Sequence, residues 1–365
     1  MKKLSVFFAL LWSPLWLPGS YIHAAPYTPS SGDEIIARWP AASENLQSFK
    51  TASRLKPNDP ATMLALANAY LAQAEQPGQS RFYGLAQAAL NPLIERNIAD
   101  KNIWLVWAQI QQHQHNFTIA LDALEKVLTQ DPTNENANLL RARIFIIQEQ
   151  PLAARNACLK LLGSADLLTV TACSLEANSY LHPQDLKNTY QQLADLIKQQ
   201  GLPDDERGTW LIQLIADLAI RNQDWKTAAD WLVKRLENAS VNYLAQWGDV
   251  QLALDNPKNI LSYLTPIVKT APEMDDALLL RLALAEKKIN SSDDWRNLLS
   301  ERIQLREQRQ DNLHSSELAS YYLDINPNPK KALYWATINF ANTREYNDKN
   351  LLERAQQANQ AREAH

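Results

Sequence analysis

The sequence predicts an all-α, right-handed α-solenoid of antiparallel helix pairs. Three observations lead there. Glycine is scarce, 8 of 365 residues, while Leu, Ala, Gln, Glu, Lys and Arg, all good helix formers, dominate the chain. Period-2 alternation of β-branched and aromatic residues is nearly absent, which argues against sheet. Small residues recur at a fixed interval: Ala142 lies 34 residues after Ala108, and Ala154 lies 34 after Ala120. A fixed period of that length is the mark of stacked supersecondary units.

The elements follow in chain order. Lys2-Lys3, the apolar run Leu4 to Leu17 and the small Ala24 read as a secretory signal at 1–24, with cleavage expected after Ala24. Pro14 and Pro18, and the shortness of the run, weigh against its retention as a spanning anchor. Residues 25–42 are expected to form a flexible leader and N-terminal cap, residues 43–310 the helical repeats, and residues 311–365 a C-terminal repeat and cap. Phe49, Ala52 and Pro57 match the end of a second helix. Ala67 and Tyr70 begin the next pair, which Ala86, Leu90 and Leu93 complete after the loop AEQPGQS. The clearest unit starts at Trp104. There Trp104, Trp107 and Ala108 share one helix face, Ala120 and Leu124 follow on the partner helix, and Pro132 closes the unit. Two helices approach closely where Ala108 faces Ala120, and large side chains fill the flanks. The stretch 165–200 is helical but off-period. Ala216, Ala228 and Leu232 make another pair. So do Gly248, Ile260, Leu264 and Pro272. Leu278, Leu282 and Leu298 begin a looser one, and Ser320, Ala332 and Ala336 fit near the end. Proline and Asp/Asn clusters, such as Lys56 to Pro60 and Gln130 to Asn134, stop one helix and cap the next. Seven or eight pairs stacked on one continuous core are expected, because a single pair cannot bury its apolar face.

The large–small pattern around Trp104, Ala108, Ala120, Leu124 and Pro132 resembles the tetratricopeptide (TPR) repeat. SRFYGLAQAALNPL (Ser80 to Leu93), DALLLRLALAEKKI (Asp276 to Ile289) and KKALYWATINFANTREYNDKNLLERA (Lys330 to Ala355) resemble a group of exported bacterial tetratricopeptide proteins with no assigned activity. The resemblance implies a protein that grips an extended segment or helix along a concave face lined by the first helix of each pair. The matching side chains are Asn68, Asn102, Gln109, Asn136, Arg143, Asp217 and Asp249; the alternative is that they form only the solvated face of each helix. Leu64, Val106 and Leu140 stand where a carboxylate clamp would need basic or amide groups, so no such clamp is expected. Trp104, Trp107 and Trp247 read as core. Trp39, Trp210, Trp225, Trp231, Trp295 and Trp335 are harder to place, and Trp210 is the first choice for a partner anchor.

Composition narrows the function classes. The net charge is −4, and −6 once Lys2 and Lys3 leave with the signal. That opposes a nucleic-acid surface. There is no glycine-rich phosphate loop, nucleophile elbow, HExxH or EF-hand loop. No metal, cofactor or small-molecule substrate is expected, and membrane contact only through an uncleaved signal. His113 and His115, two apart at a helix end, read as a surface turn unsuited to joint chelation. Cys158 and Cys173 fall on consecutive helices, and either a disulfide or two buried thiols fits them. The leading expectation is a periplasmic, non-catalytic adaptor with a polypeptide in its groove. Two others stand beside it. An envelope enzyme or its accessory would show a deep pocket of convergent acids. A self-associating module would show an apolar patch near the cysteines or at the C-terminal helices.

Overall fold

A computed structural model describes residue 31, residues 44–290 and residues 292–363. The expected signal at 1–24, the expected leader at 25–42 apart from residue 31, and Trp39 lie outside the described residues. Ala41–His365 form one compact unit, separate from Met1–Pro40. Helix α1 (Glu44–Leu55) precedes eight helix pairs. Repeat 1 is α2 (Pro60–Ala74) with α3 (Arg81–Glu95), repeat 2 is α4 (Lys101–His113) with α5 (Phe117–Gln130), and repeat 3 is α6 (Glu135–Ile147) with α7 (Pro151–Leu159). Repeat 4 is α8 (Leu167–Leu181) with α9 (Leu186–Gln200), and repeat 5 is α10 (Glu206–Arg221) with α11 (Trp225–Leu232). Repeat 6 is α12 (Val241–Ala253) with α13 (Pro257–Thr270), and repeat 7 is α14 (Asp276–Ile289) with α15 (Asp294–Arg309). Repeat 8 is α16 (Ser315–Ser320), prolonged by a π-helical turn (Tyr321–Ile325), with α17 (Pro329–Asn342). Helix α18 (Tyr346–Glu363) follows. No strand occurs among the described residues.

The first helices of repeats 1 to 5 start where the sequence supplies a cap. Asp59, Asp100, Asn134, Asp166 and Asp205 accept backbone N–H bonds from Thr62, Asn102, Ala137, Thr169 and Arg207 at 2.8–3.0 Å. These bonds satisfy donors that a helix start leaves orphaned. The hairpin turns use a less visible device. His115, Glu149, Gln223 and Asp255 adopt left-handed φ of 59–60°. The N–H of the next residue then reaches back to the carbonyls of Gln111, Phe145, Ala219 and Gln251, at 2.7–2.9 Å. This is the Schellman closure, made here without glycine.

The small residues meet as the pattern requires. Ala67, Ala86, Ala108, Ala120, Ala154, Ala216 and Ala228 have no exposed surface. In repeat 8 the buried pair is Ala319 and Ala332 rather than Ser320 and Ala332, a one-residue shift beside the π-helical turn. Trp104, Trp107, Trp247 and Trp335 are core.

Helices α2, α4, α6, α8 and α10 pack on one another in succession, as do α12, α14, α16 and α18; the odd-numbered helices pack chiefly on their chain neighbours. The closer even-numbered layer is therefore the inner wall. That wall curves until the chain meets itself at three seams. The repeat 1 turn meets the loop leaving repeat 6: Gly78 N–H donates to Asp275 Oδ2 at 2.7 Å. The repeat 2 turn meets the loop leaving repeat 7, where His113 and His115 pack against His314. The repeat 3 turn meets the loop leaving repeat 8: Arg344 N–H donates to Ile147 O at 2.8 Å. Each of these turns touches the loop five repeats on, and the repeat 1 turn also touches the start of α12, where Val241 N–H donates to Glu75 O at 3.3 Å. Gly78 shows how tight this is. Its φ is +71°, and a Cβ there would lie 2.5 Å from the Glu273 carbonyl, so only glycine fits.

Candidate functional site

The inner wall carries the residues singled out by sequence, in two rows. Asn68, Gln109, Arg143, Asp217 and Asp249 each directly follow the small residue of their first helix, and Asn102, Asn136 and Trp210 stand six residues before it. The rows then divide by charge. Asn68, Asn102, Gln109 and Asn136 are exposed, and their side chains make no hydrogen bond among the described residues. The charged members are paired within the chain. Asp249 holds Arg281 of α14 through two bonds of 2.8 and 2.6 Å. Burial works to lower the Arg281 pKa, but Asp249 outweighs it and the net direction is up. Trp210 is half-buried between two apolar clusters. Packed on both sides in this way, it is not a free anchor.

Arg143 sits in a five-charge cluster. It reaches Glu345 at 2.7 Å and Glu176 of α8 at 3.5 Å. Arg221 of α10 lies beneath, with 3% of its side chain exposed. It bonds Ser179 Oγ at 2.7 Å and Ser179 O at 2.9 Å, pairs with Asp217 at 3.4 Å and stacks over the Tyr180 ring at 3.8 Å. Three carboxylates thus share two guanidiniums in a partly enclosed space. Burial pushes Glu176 up to about 7, against the pull of Arg143 and with Asp217 and Glu345 adding to the rise. Asp217 is raised by burial too, opposed by Arg221. Arg143 keeps 43% of its side chain exposed, so the cluster faces water. The loop leaving repeat 8 supplies Glu345, so the chain itself occupies this part of the wall.

Sequence reasoning missed Glu176, Arg221, Arg281 and Glu345. Two of them left a trace, opposite charges one repeat apart: Glu176 follows Arg143 by 33 residues, and Arg281 follows Asp249 by 32. Glu345 left none, because it arrives from a non-adjacent repeat.

Two other expectations meet the structure. His113 and His115 do not form a surface turn. Both are half-buried, with His113 stacked on Tyr83 at 3.4 Å, because the next superhelical turn covers them. Cys158 of α7 and Cys173 of α8 are buried and bonded to each other. An open cavity of about 400 Å³ lies among Asp255, Asn256, Lys258, Asn259 and Lys288. Its carboxylate, Asp255, is held by Lys288 at 2.9 Å. No cluster of three or more His, Cys, Asp or Glu suited to a metal occurs among the described residues, and no described helix is long and apolar enough to cross a membrane.

The helices of each pair meet through small residues, 34 apart between repeats 2 and 3, with the first helices inward. The described residues form an all-α solenoid of antiparallel helix pairs. No family model matches the chain, and no curated protein sequence does. Solved structures that match include a tetratricopeptide repeat protein from Parabacteroides merdae, 16% identical over 70% of this chain and 90% of that one, with a TM-score of 0.43. The Cut9–Hcn1 hetero-tetramer of the APC/C matches at 14% identity over 85% of this chain and 52% of that one, TM-score 0.42. The TPR domain of P58(IPK) matches at 16% identity over 88% of this chain and 94% of that one, TM-score 0.24.

Proposed function

We propose that this chain is a non-catalytic tetratricopeptide-type scaffold, exported to the periplasm, that holds a partner polypeptide along the inner wall of repeats 1 to 3. The observation that carries this reading is the set Asn68, Asn102, Gln109 and Asn136. These are amides on successive inner helices, exposed and without hydrogen-bond partners among the described residues. An amide both donates and accepts, which suits it to an extended backbone. The charged members, Arg143, Asp217 and Asp249, could join only by exchanging an ion pair they already make. The signal-like N-terminus and the Cys158–Cys173 bond favour an oxidising compartment. The test is a crosslinked pull-down from periplasm with wild type and with all four amides changed to alanine. Loss of the same recovered band in the variant is expected, with its thermal stability unchanged. A band that survives contradicts the amide assignment, and recovery of the protein from the cytoplasm alone contradicts export.

A second reading has one observation in its favour. A carboxyl raised to about 7, as Glu176 is, has the acidity general acid–base chemistry uses. The two arginines that engage the cluster weigh against it. Glu176→Gln separates the readings, because a scaffold keeps its partner in that variant.

A further inference from the structure

Three of the chain's six histidines meet at the middle seam, from positions some 200 residues apart in sequence. His115 meets His314 edge-to-face at 4.9 Å between ring centroids, and His113 lies 5.6 Å from His314. Tyr83 of α3 covers His113, and Phe117 lies 5.6 Å from His115. We propose that His113 and His115, packed against the His314 ring, form an acid-released latch whose protonation drives the repeat 2 turn off the loop leaving repeat 7. The latch is independent of what occupies the inner wall.

The charged surroundings supply no counter-ion to the rings. On the α3 side, Glu75 in the repeat 1 turn acts on Tyr83. On the α15 side, Arg306 donates to the Leu313 and His314 carbonyls, and its own charge is matched by Asp276 at 3.2 Å and Asp311 at 3.5 Å. Among the described residues no carboxylate pairs with any of the three rings, so added protons meet only one another. Burial and the neighbouring histidines hold His113 down at about 3 and His115 at about 4. The sign follows. A histidine lowered by closure stabilises the closed seam fully above about 6.5, and that contribution is lost as pH falls toward the lowered values. The seam at Gly78 runs the other way. Burial pushes its Asp275 up to about 6, so its contribution falls as pH rises, and acid does not loosen it. The release is therefore local to the middle seam.

Hydrogen exchange of the full mature chain tests this, corrected for the intrinsic pH dependence of exchange. Between pH 7 and 5, segments 110–118 and 311–316 should lose protection by roughly tenfold or more, given about 20-fold per released ring. Segment 75–80 should lose no protection. His314→Asn keeps a residue at home in left-handed backbone, where His314 sits at φ +52°, and should blunt the loss. His113→Phe keeps a ring on Tyr83, cannot charge, and should do the same. Proton NMR should find His113 and His115 titrating below 6.5. Ordinary titration of both rings overturns the proposal, as does unchanged protection at pH 5 or an equal loss in either variant that folds.

Discussion

Arg221 shows how one residue on the inner wall is committed. Its guanidinium is buried, with the Ser179 carbonyl and hydroxyl on one side and Asp217 on the other. Arg221→Met keeps much of the volume and leaves Ser179 and Asp217 unpaired. Stranded buried groups of this kind typically cost about 2–4 kcal/mol, and the expected result is a lower urea midpoint with an unchanged slope. Glu176 makes a prediction of opposite character. Its carboxyl, raised to about 7 from an ordinary 4.5, favours the fold while protonated. That contribution is full below about 4.5 and is lost as pH rises through 7. Glu176→Gln should therefore raise stability at pH 8 more than at pH 5, measured by denaturant unfolding at each pH. A larger gain at pH 5 would show that Arg143 controls the site instead.

At the scale of elements, the helices and their pairing were legible because two signals coincide: a side-chain period that marks one apolar face, and small residues 34 apart where the helices touch. Asp59 and Asn134 were legible as caps because the cap is chosen by side-chain chemistry. The hairpin closures were harder to read. Left-handed residues are looked for as glycine, yet Glu149, Gln223 and Asp255 take that conformation here. Left-handed backbone in a side-chain-bearing residue costs about 1–2 kcal/mol, so Gln223→Gly should stabilise repeat 5 by about 1 kcal/mol, read from the urea midpoint. The Cys158–Cys173 bond ties α7 to α8 across a repeat boundary, at a sequence separation of 15. A loop of that length is worth about 3 kcal/mol on the chain-entropy model. Changing both cysteines to alanine should lower stability by about that amount, and nonreducing mass spectrometry of the wild type purified from its native host should find the two joined. Free thiols there would refute the bridge.

At the scale of the whole described unit, the seams were not legible at all. Gly78 with Asp275, His115 with His314 and Arg143 with Glu345 pair residues about 200 apart. Those separations follow from accumulated curvature over five repeats, and no local pattern encodes it. This is also why Arg143 reads in the sequence as an open contact and in the structure as an occupied one. The amide row on repeats 1 to 3 is local to each helix, and it was readable for that reason. The claim that this inner wall is the working surface is tested most directly by site-specific photocrosslinking in cells. One photoreactive residue is placed at Gln109 on the inner wall, and in a second protein at Asp122, an exposed position on α5. A discrete adduct from position 109 and none from 122 is the predicted result. Adducts from 122 with none from 109 would contradict it.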